Sequence, residues 1–139
     1  MASIAVAPVV LKDVVLTVGT DSYEAHVSSV KFTPSTNTLS WKGLTPSAVF
    51  TDVTAPTWTC TITYAQDWVT TNSLANYLLT NAGQQKAVVF KPQGAAAGKP
   101  SFAATLTITP GDIGGDVDQW MTATVTLGVV GVPVKTLNP

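Results

Sequence analysis

Four places in this sequence carry residue types that could do chemistry: His26, Cys60, the stretch Gly94–Pro100, and the trio Asp112, Asp116 and Asp118. His26 is the only histidine. A metal site needs several nitrogen, sulfur or carboxylate ligands, and a catalytic histidine needs a nucleophile and an orienting partner. It therefore reads as a structural or exposed residue of its strand. Cys60 is the only cysteine, which excludes an internal disulfide and implies no oxidising compartment. It shares a strand side with Trp58 and Ile62, so it reads as a small buried hydrophobe. Gly94-Ala95-Ala96-Ala97-Gly98-Lys99-Pro100 superficially matches a phosphate-binding loop. The spacing is one residue short, Pro100 stands where Ser or Thr is needed, and a strand follows instead of a helix. It reads as a hairpin tip. The three aspartates fit either a calcium loop or a solvated turn, without the alternating acidic spacing of an EF-hand. Trp58, Trp68 and Trp120 suggest either a sugar-stacking platform or core, and the side that Trp58 shares with Ile62 favours core. With no acid/base pair, activated nucleophile or cofactor loop, the chain is expected to be no enzyme and to need no cofactor.

The residues with a strong period are threonines. Thr57, Thr59, Thr61 and Thr63 alternate with Trp58, Cys60, Ile62 and Tyr64. Thr105, Thr107 and Thr109 alternate with Leu106 and Ile108, and Thr122, Thr124 and Thr126 with Ala123, Val125 and Leu127. A period of two belongs to a pleated strand, whose neighbouring side chains point to opposite faces, and β-branched Thr suits that surface. The polar face carries hydroxyls and almost no charge.

That shortage runs through the chain of 139 residues. Charged residues make up 11% of it, against roughly 25% in a typical soluble domain. All seven basic residues are Lys, scattered at 12, 31, 42, 86, 91, 99 and 135, with a net charge of −1. Phosphate neutralisation takes clustered Lys and Arg, so a nucleic-acid-binding protein is a poor fit. A solitary monomer is kept dispersed by mixed surface charge, so a chain this uncharged is expected to cover itself with its own copies. The N-terminus lacks a basic segment and a long apolar core, and no apolar run approaches spanning length, which predicts neither signal peptide nor membrane span.

Read along the chain, Val9–Val18 predicts a strand covered on both faces, followed by a turn at Gly19–Ser22. Tyr23–Thr33 predicts a second strand whose parity switches near Ser28-Ser29, as a bulge would cause. Residues 34–56 form a long loop with extended pieces around Leu39–Trp41 and Ala48–Phe50, and its aromatics argue for something that docks. Thr57–Tyr64 is the clearest strand. A helix over 72–82 follows, with Ser73 as N-cap and Gly83 as left-handed stop. Lys86–Lys91 and Ser101–Thr109 predict a hairpin, Gln119–Gly128 the last long strand, and Val132–Lys135 an extended tail. The expected fold is mainly β: a single-domain β-sandwich or barrel with one flanking α-helix.

The order of these pieces carries a resemblance. Gln66-Asp67-Trp68 leads into Ser73-Leu74-Ala75-Asn76-Tyr77-Leu78-Leu79 and Asn81-Ala82-Gly83; Lys91-Pro92 and Pro100-Ser101-Phe102 bracket a Gly-rich tip; Pro110-Gly111-Asp112-Ile113-Gly114-Gly115 precedes Ala123–Leu127 and Gly131-Val132-Pro133. This ordered set resembles the major tail (tail tube) proteins of long-tailed bacteriophages (siphophages), particularly those infecting actinobacteria. The resemblance is densest from Thr57 to Lys135. It implies a structural virion subunit whose hexameric rings stack into a hollow tube that conducts the genome into the host. It also implies the partners: further copies of itself, tail terminator and tail tip or baseplate proteins, a tape measure protein within the tube during assembly, and DNA passing non-specifically through the lumen. The implied location is the virion tail, with the host cytoplasm before assembly and no membrane. On that resemblance residues 34–56 are the inter-subunit or inter-ring loop, with Leu39, Trp41, Leu44, Val49 and Phe50 as its contacts. Residues 1–8 and 132–139 are the N- and C-terminal arms. The threonines Thr57, Thr59, Thr61, Thr63, Thr105, Thr107, Thr109, Thr122, Thr124 and Thr126 are expected to line the lumen or a subunit contact. The alternative is a monomeric immunoglobulin-like module, binding carbohydrate or decorating a virion through exposed aromatics such as Trp41 and Trp120.

Overall fold

The structure, a computed structural model, describes residues 2–139; Met1, the first residue of the expected arm 1–8, lies outside them. Chain order gives β1 (Val15–Val18), β2 (Asp21–Ser22), β3 (Val27–Ser35), β4 (Thr38–Lys42), β5 (Val49–Val53), β6 (Thr57–Ala65), α1 (Leu74–Thr80), β7 (Gln85–Lys91), β8 (Pro100–Thr107) and β9 (Thr122–Leu137). The fold is mainly β with antiparallel pairing and one helix, as expected. Seven strands form one sheet in the order β2-β1-β7-β8-β9-β6-β3, and β4-β5 stand apart as a separate hairpin.

Coiling turns this one sheet into a sandwich-like body. Phe32 on β3 and Phe90 on β7 are separated by three intervening strands, yet their ring centroids lie 6.3 Å apart. That contact requires the sheet to bend until its two ends face each other over a common core, an extension of the natural strand twist. Alternate residues fill the space: Leu16 and Val18, Cys60, Ile62 and Tyr64, Val88, Leu106, and Val125 and Leu127 are all buried. Helix α1 closes one end by burying Leu74, Ala75 and Leu78.

The helix is shorter than 72–82 because its caps lie further in. The Ser73 hydroxyl accepts from the Asn76 N–H at 3.4 Å and donates to the Asp67 carbonyl. Asn81 is the C-cap, and Gly83 follows with φ +85°, a conformation that favours glycine. A seven-residue helix is unstable alone and persists because its apolar side is docked. Gln66 ties the preceding loop to the crossover before β9. Its side-chain amide donates to the Gly114 and Thr122 carbonyls, both at 2.9 Å, and accepts from the Gly114 N–H at 3.1 Å. Gly111 lies against the Tyr64 hydroxyl so closely that a Cβ there has no room.

Asp67 makes part of this loop pH-sensitive. Hydrogen bonds from the Thr70 hydroxyl, and from the Thr70 and Val69 backbone N–H groups, hold its carboxyl below the ordinary 3.8. A carboxyl depressed on folding adds stability above its unfolded pKa, and that stability is lost as pH falls through the folded value. The melting-temperature advantage of the wild type over Asp67→Asn is therefore expected to shrink as pH falls from neutrality through and below the ordinary carboxylate range. A gap that stays constant across that window would contradict this account.

Several expected boundaries move, each for a pairing reason. The strand expected over Val9–Val18 begins only at Val15. Val15 opposes Lys91, the last residue of β7, so no ladder partner remains for anything earlier. Residues 2–11 are exposed and without regular structure. The strand expected over Tyr23–Thr33 starts at Val27 after a turn, and its register shift between Val27 and Ser29 is the bulge that the parity switch implied. The expected loop 34–56 overlaps the end of β3 and is mostly hairpin. Strand β8 ends at Thr107, leaving Thr109 outside it. The expected C-terminal arm 132–139 is corrected most. Val134–Leu137 pair with Pro100–Ala103, and buried Asn138 donates its side-chain amide to Gly94 at 2.9 Å and Ala96 at 3.0 Å. Between Thr105, opposite Val130, and Ala103, opposite Val134, β9 accommodates extra residues, an irregularity in its pairing with β8.

Candidate assembly interface

The three threonine runs, distant in sequence, converge on one face. Strand register places Ser29, Thr63 and Thr124 in one row across β3, β6 and β9, and Lys31, Thr61 and Thr126 in the next. A third row runs Thr33, Thr59, Gly128, Thr107 and Gln85 across five strands. Thr57 opposes Ser35, Thr122 opposes Ala65, and Thr105 lies between Ala87 and Val130. Thr61 and Thr126 hydroxyls lie 3.3 Å apart, and those of Thr63 and Thr124 3.0 Å apart. Such cross-strand hydroxyl pairs hold neighbouring side chains in place and stabilise by about 0.2–1 kcal/mol each. Thr57, Thr122, Thr124 and Thr126 are exposed, Thr59, Thr61, Thr63, Thr105 and Thr107 half-buried, and Thr109 exposed just past β8. Lys31 is the one charge in these rows.

The second surface is the hairpin. Trp41 opposes Phe50 with ring centroids 5.8 Å apart, and Leu39, opposite Asp52, extends the same face. Val49 opposes Lys42 on the other face, and Leu44 sits in the turn. All ten strand residues are exposed, with Trp41 at 63% and Phe50 at 62%. The base is closed by Thr54 N–H to the Asn37 carbonyl at 2.8 Å and Asn37 N–H to Thr54 Oγ1 at 2.9 Å. Leu39, Trp41, Leu44, Val49 and Phe50 all lie on this hairpin, with Leu39, Trp41 and Phe50 sharing one face. A contiguous apolar patch held in water marks a contact surface.

The residues with possible chemistry are not gathered. His26 is half-buried and meets the Tyr23 ring edge-on at 5.6 Å. Cys60 is fully buried, and burial pushes its thiol up to about 12, which leaves it protonated and unreactive. Gly94–Pro100 is a hairpin tip pinned by Asn138. Asp112, Asp116 and Asp118 are exposed, and no group of three potential metal ligands forms among the described residues. Trp58 lies half-buried on the core side of β6, Trp68 donates Nε1–H to Gln66 at 3.2 Å, and Trp120 is 93% exposed. No aromatic contact joins any two of them.

Sequence reading missed one surface. Val130, Val132, Val134 and Leu137 on the second half of β9 are all exposed. The alternation Val130-Val132-Val134 was its signal, read as a tail and not as part of a sheet.

What fold and surfaces define is a mainly β domain with one helix. No protein-family model matches the chain, and no curated protein is significantly similar to it. No helix among the described residues is long and apolar enough to cross a membrane.

Proposed function

We propose that this protein is the tail tube subunit of a long-tailed phage, whose hexameric rings stack into the conduit for the genome. The observation that carries the reading is the β4–β5 hairpin. It leaves Trp41, Phe50 and Leu39 largely exposed, and none of the three joins the hydrophobic core or the side chains packed against it. In this reading the hairpin seats on a neighbouring subunit or ring and loses that apolar exposure on assembly. The threonine face lines the lumen, where hydroxyls with one Lys give passing phosphates little to bind. Tail terminator, tip or baseplate and tape measure proteins act at the ends and inside of the tube, and the virion tail is its location.

Concentrated purified protein is expected to form rings or tubes of uniform width, visible by negative-stain electron microscopy. A chain that stays monomeric by light scattering at high concentration, with no rings or tubes, would remove the proposal. It would favour the immunoglobulin-like binding module instead.

A further inference from the structure

We infer that the crossover loop between β8 and β9 is a docking surface for a basic, apolar segment of a different protein, with Trp120 as its anchor. This surface is separate from the hairpin and the threonine face, and it does not depend on the tail reading.

The fold holds the loop at three points. Gly111 lies against the Tyr64 hydroxyl with no room for a Cβ. The Gln66 side chain grips Gly114 by both its N–H and its carbonyl, and takes the Thr122 carbonyl as well. Gly115 lies against Met121, whose Cγ is 3.2 Å from where a Cβ on the glycine would stand. The two ends of the tip, residues 116–120, are therefore close together. Asp118 turns the tip with φ +62°, a left-handed conformation that Asp and Asn adopt more readily than most residues.

The side chains that this tethered loop displays are apolar. Trp120 is 93% exposed, Val117 87% and Ile113 71%. Trp41 and Phe50 on the hairpin at least cover each other, whereas no aromatic ring among the described residues meets Trp120. A loop already held in shape loses little freedom on binding, and Trp is a side chain that often carries much of an interface's energy.

Charge selects the partner. The loop's charged residues are Asp112, Asp116 and Asp118, and no Lys occurs between Lys99 and Lys135. Among the described residues the three carboxylates do not gather into a metal site, so they spread negative charge around the apolar side chains. An apolar centre with carboxylates around it fits a segment in which apolar residues alternate with Lys or Arg, the charges steering encounter and excluding wrong partners. The same charges repel phosphate backbones and anionic membrane surfaces. A second copy of this chain is a poor occupant, since its seven Lys are scattered along the sequence and it has no Arg.

The test uses the purified full-length chain and a fluorescein-labelled amphipathic peptide of Lys, Leu and Phe, beside the same peptide with Glu in place of Lys. Fluorescence anisotropy is expected to show binding of the Lys peptide alone, weakening as salt is added. Trp120→Ala combined with Asp118→Asn is expected to weaken that binding by roughly tenfold or more, with Asn keeping the left-handed turn. Asp52→Asn combined with Val53→Ala removes a carboxylate and an apolar side chain from the hairpin and is expected to leave binding unchanged. All four positions are exposed, so both variants should melt close to the wild type. Failure of the Lys peptide to bind, equal binding of the two peptides, or equal loss in the two variants overturns the inference. Loss of rings or tubes in the Trp120→Ala, Asp118→Asn variant makes the loop a contact between copies and also overturns it. A wild type that forms neither rings nor tubes counts against the tail reading alone, and the peptide titration still decides the docking surface.

Discussion

Replacing residues 38–53 with a short turn is expected to abolish tube formation while leaving the body's melting temperature nearly unchanged. The hairpin base makes this possible, since Asn37 and Thr54 already bond to each other through two hydrogen bonds. Removal of the strands therefore joins neighbouring points of the chain. An isolated two-stranded hairpin is marginal in water, and a Trp–Phe pair stabilises it by about 0.5–1.5 kcal/mol, none of it shared with the seven-stranded sheet. The body has little to lose. Assembly has more to lose, because buried aromatic anchors each account for about 2 kcal/mol or more of an interface, some thirtyfold in affinity per contact. The paired change Trp41→Glu and Phe50→Glu should reproduce the defect without shortening the chain. Thermal unfolding by circular dichroism and tube counts by electron microscopy separate the two effects. Normal tubes from the shortened chain would remove the hairpin from the interface.

The opposite pattern is expected at Leu106. This residue is fully buried on β8, its strand central in the coiled sheet. Leu106→Ala removes about three methylene equivalents from a close-packed interior and leaves a cavity, costing about 3 kcal/mol. For a domain of this size that lowers the melting temperature by roughly 10 °C. Against a total stability of about 5–15 kcal/mol, the loss is a large fraction. Leu39→Ala, the same substitution at a side chain 59% exposed on the hairpin, should leave folding within about 0.5 kcal/mol. Denaturant titration of both variants measures the contrast. Equal losses at the two sites would mean that the hairpin packs on the body in solution.

The sandwich with one helix was legible because its cues are local. Period-two alternation marks Thr57–Tyr64 and Thr122–Leu127, and Ser73 and Gly83 bracket the helix. The bulge near Ser28-Ser29 was visible as a parity slip. The hairpin pieces around Trp41 and Phe50 were visible too, though not their mutual pairing. The candidate surfaces were half legible. Each threonine run was readable as a polar strand face, but nothing local indicates that Thr61 stands beside Thr126.

By itself the sequence determined which residues alternate, where turns fall and how little charge the surface carries, since these depend on a residue and its near neighbours. Tertiary structure alone decided which strands lie side by side. It merged three threonine runs into one face and drew residues 134–137 into the sheet. It also left residues 2–11 without a partner because β7 ends at Lys91. The reason is physical: a strand's preference is written in its own side chains, but its hydrogen bonds belong to a neighbour that can lie anywhere in the chain, or in another copy of it.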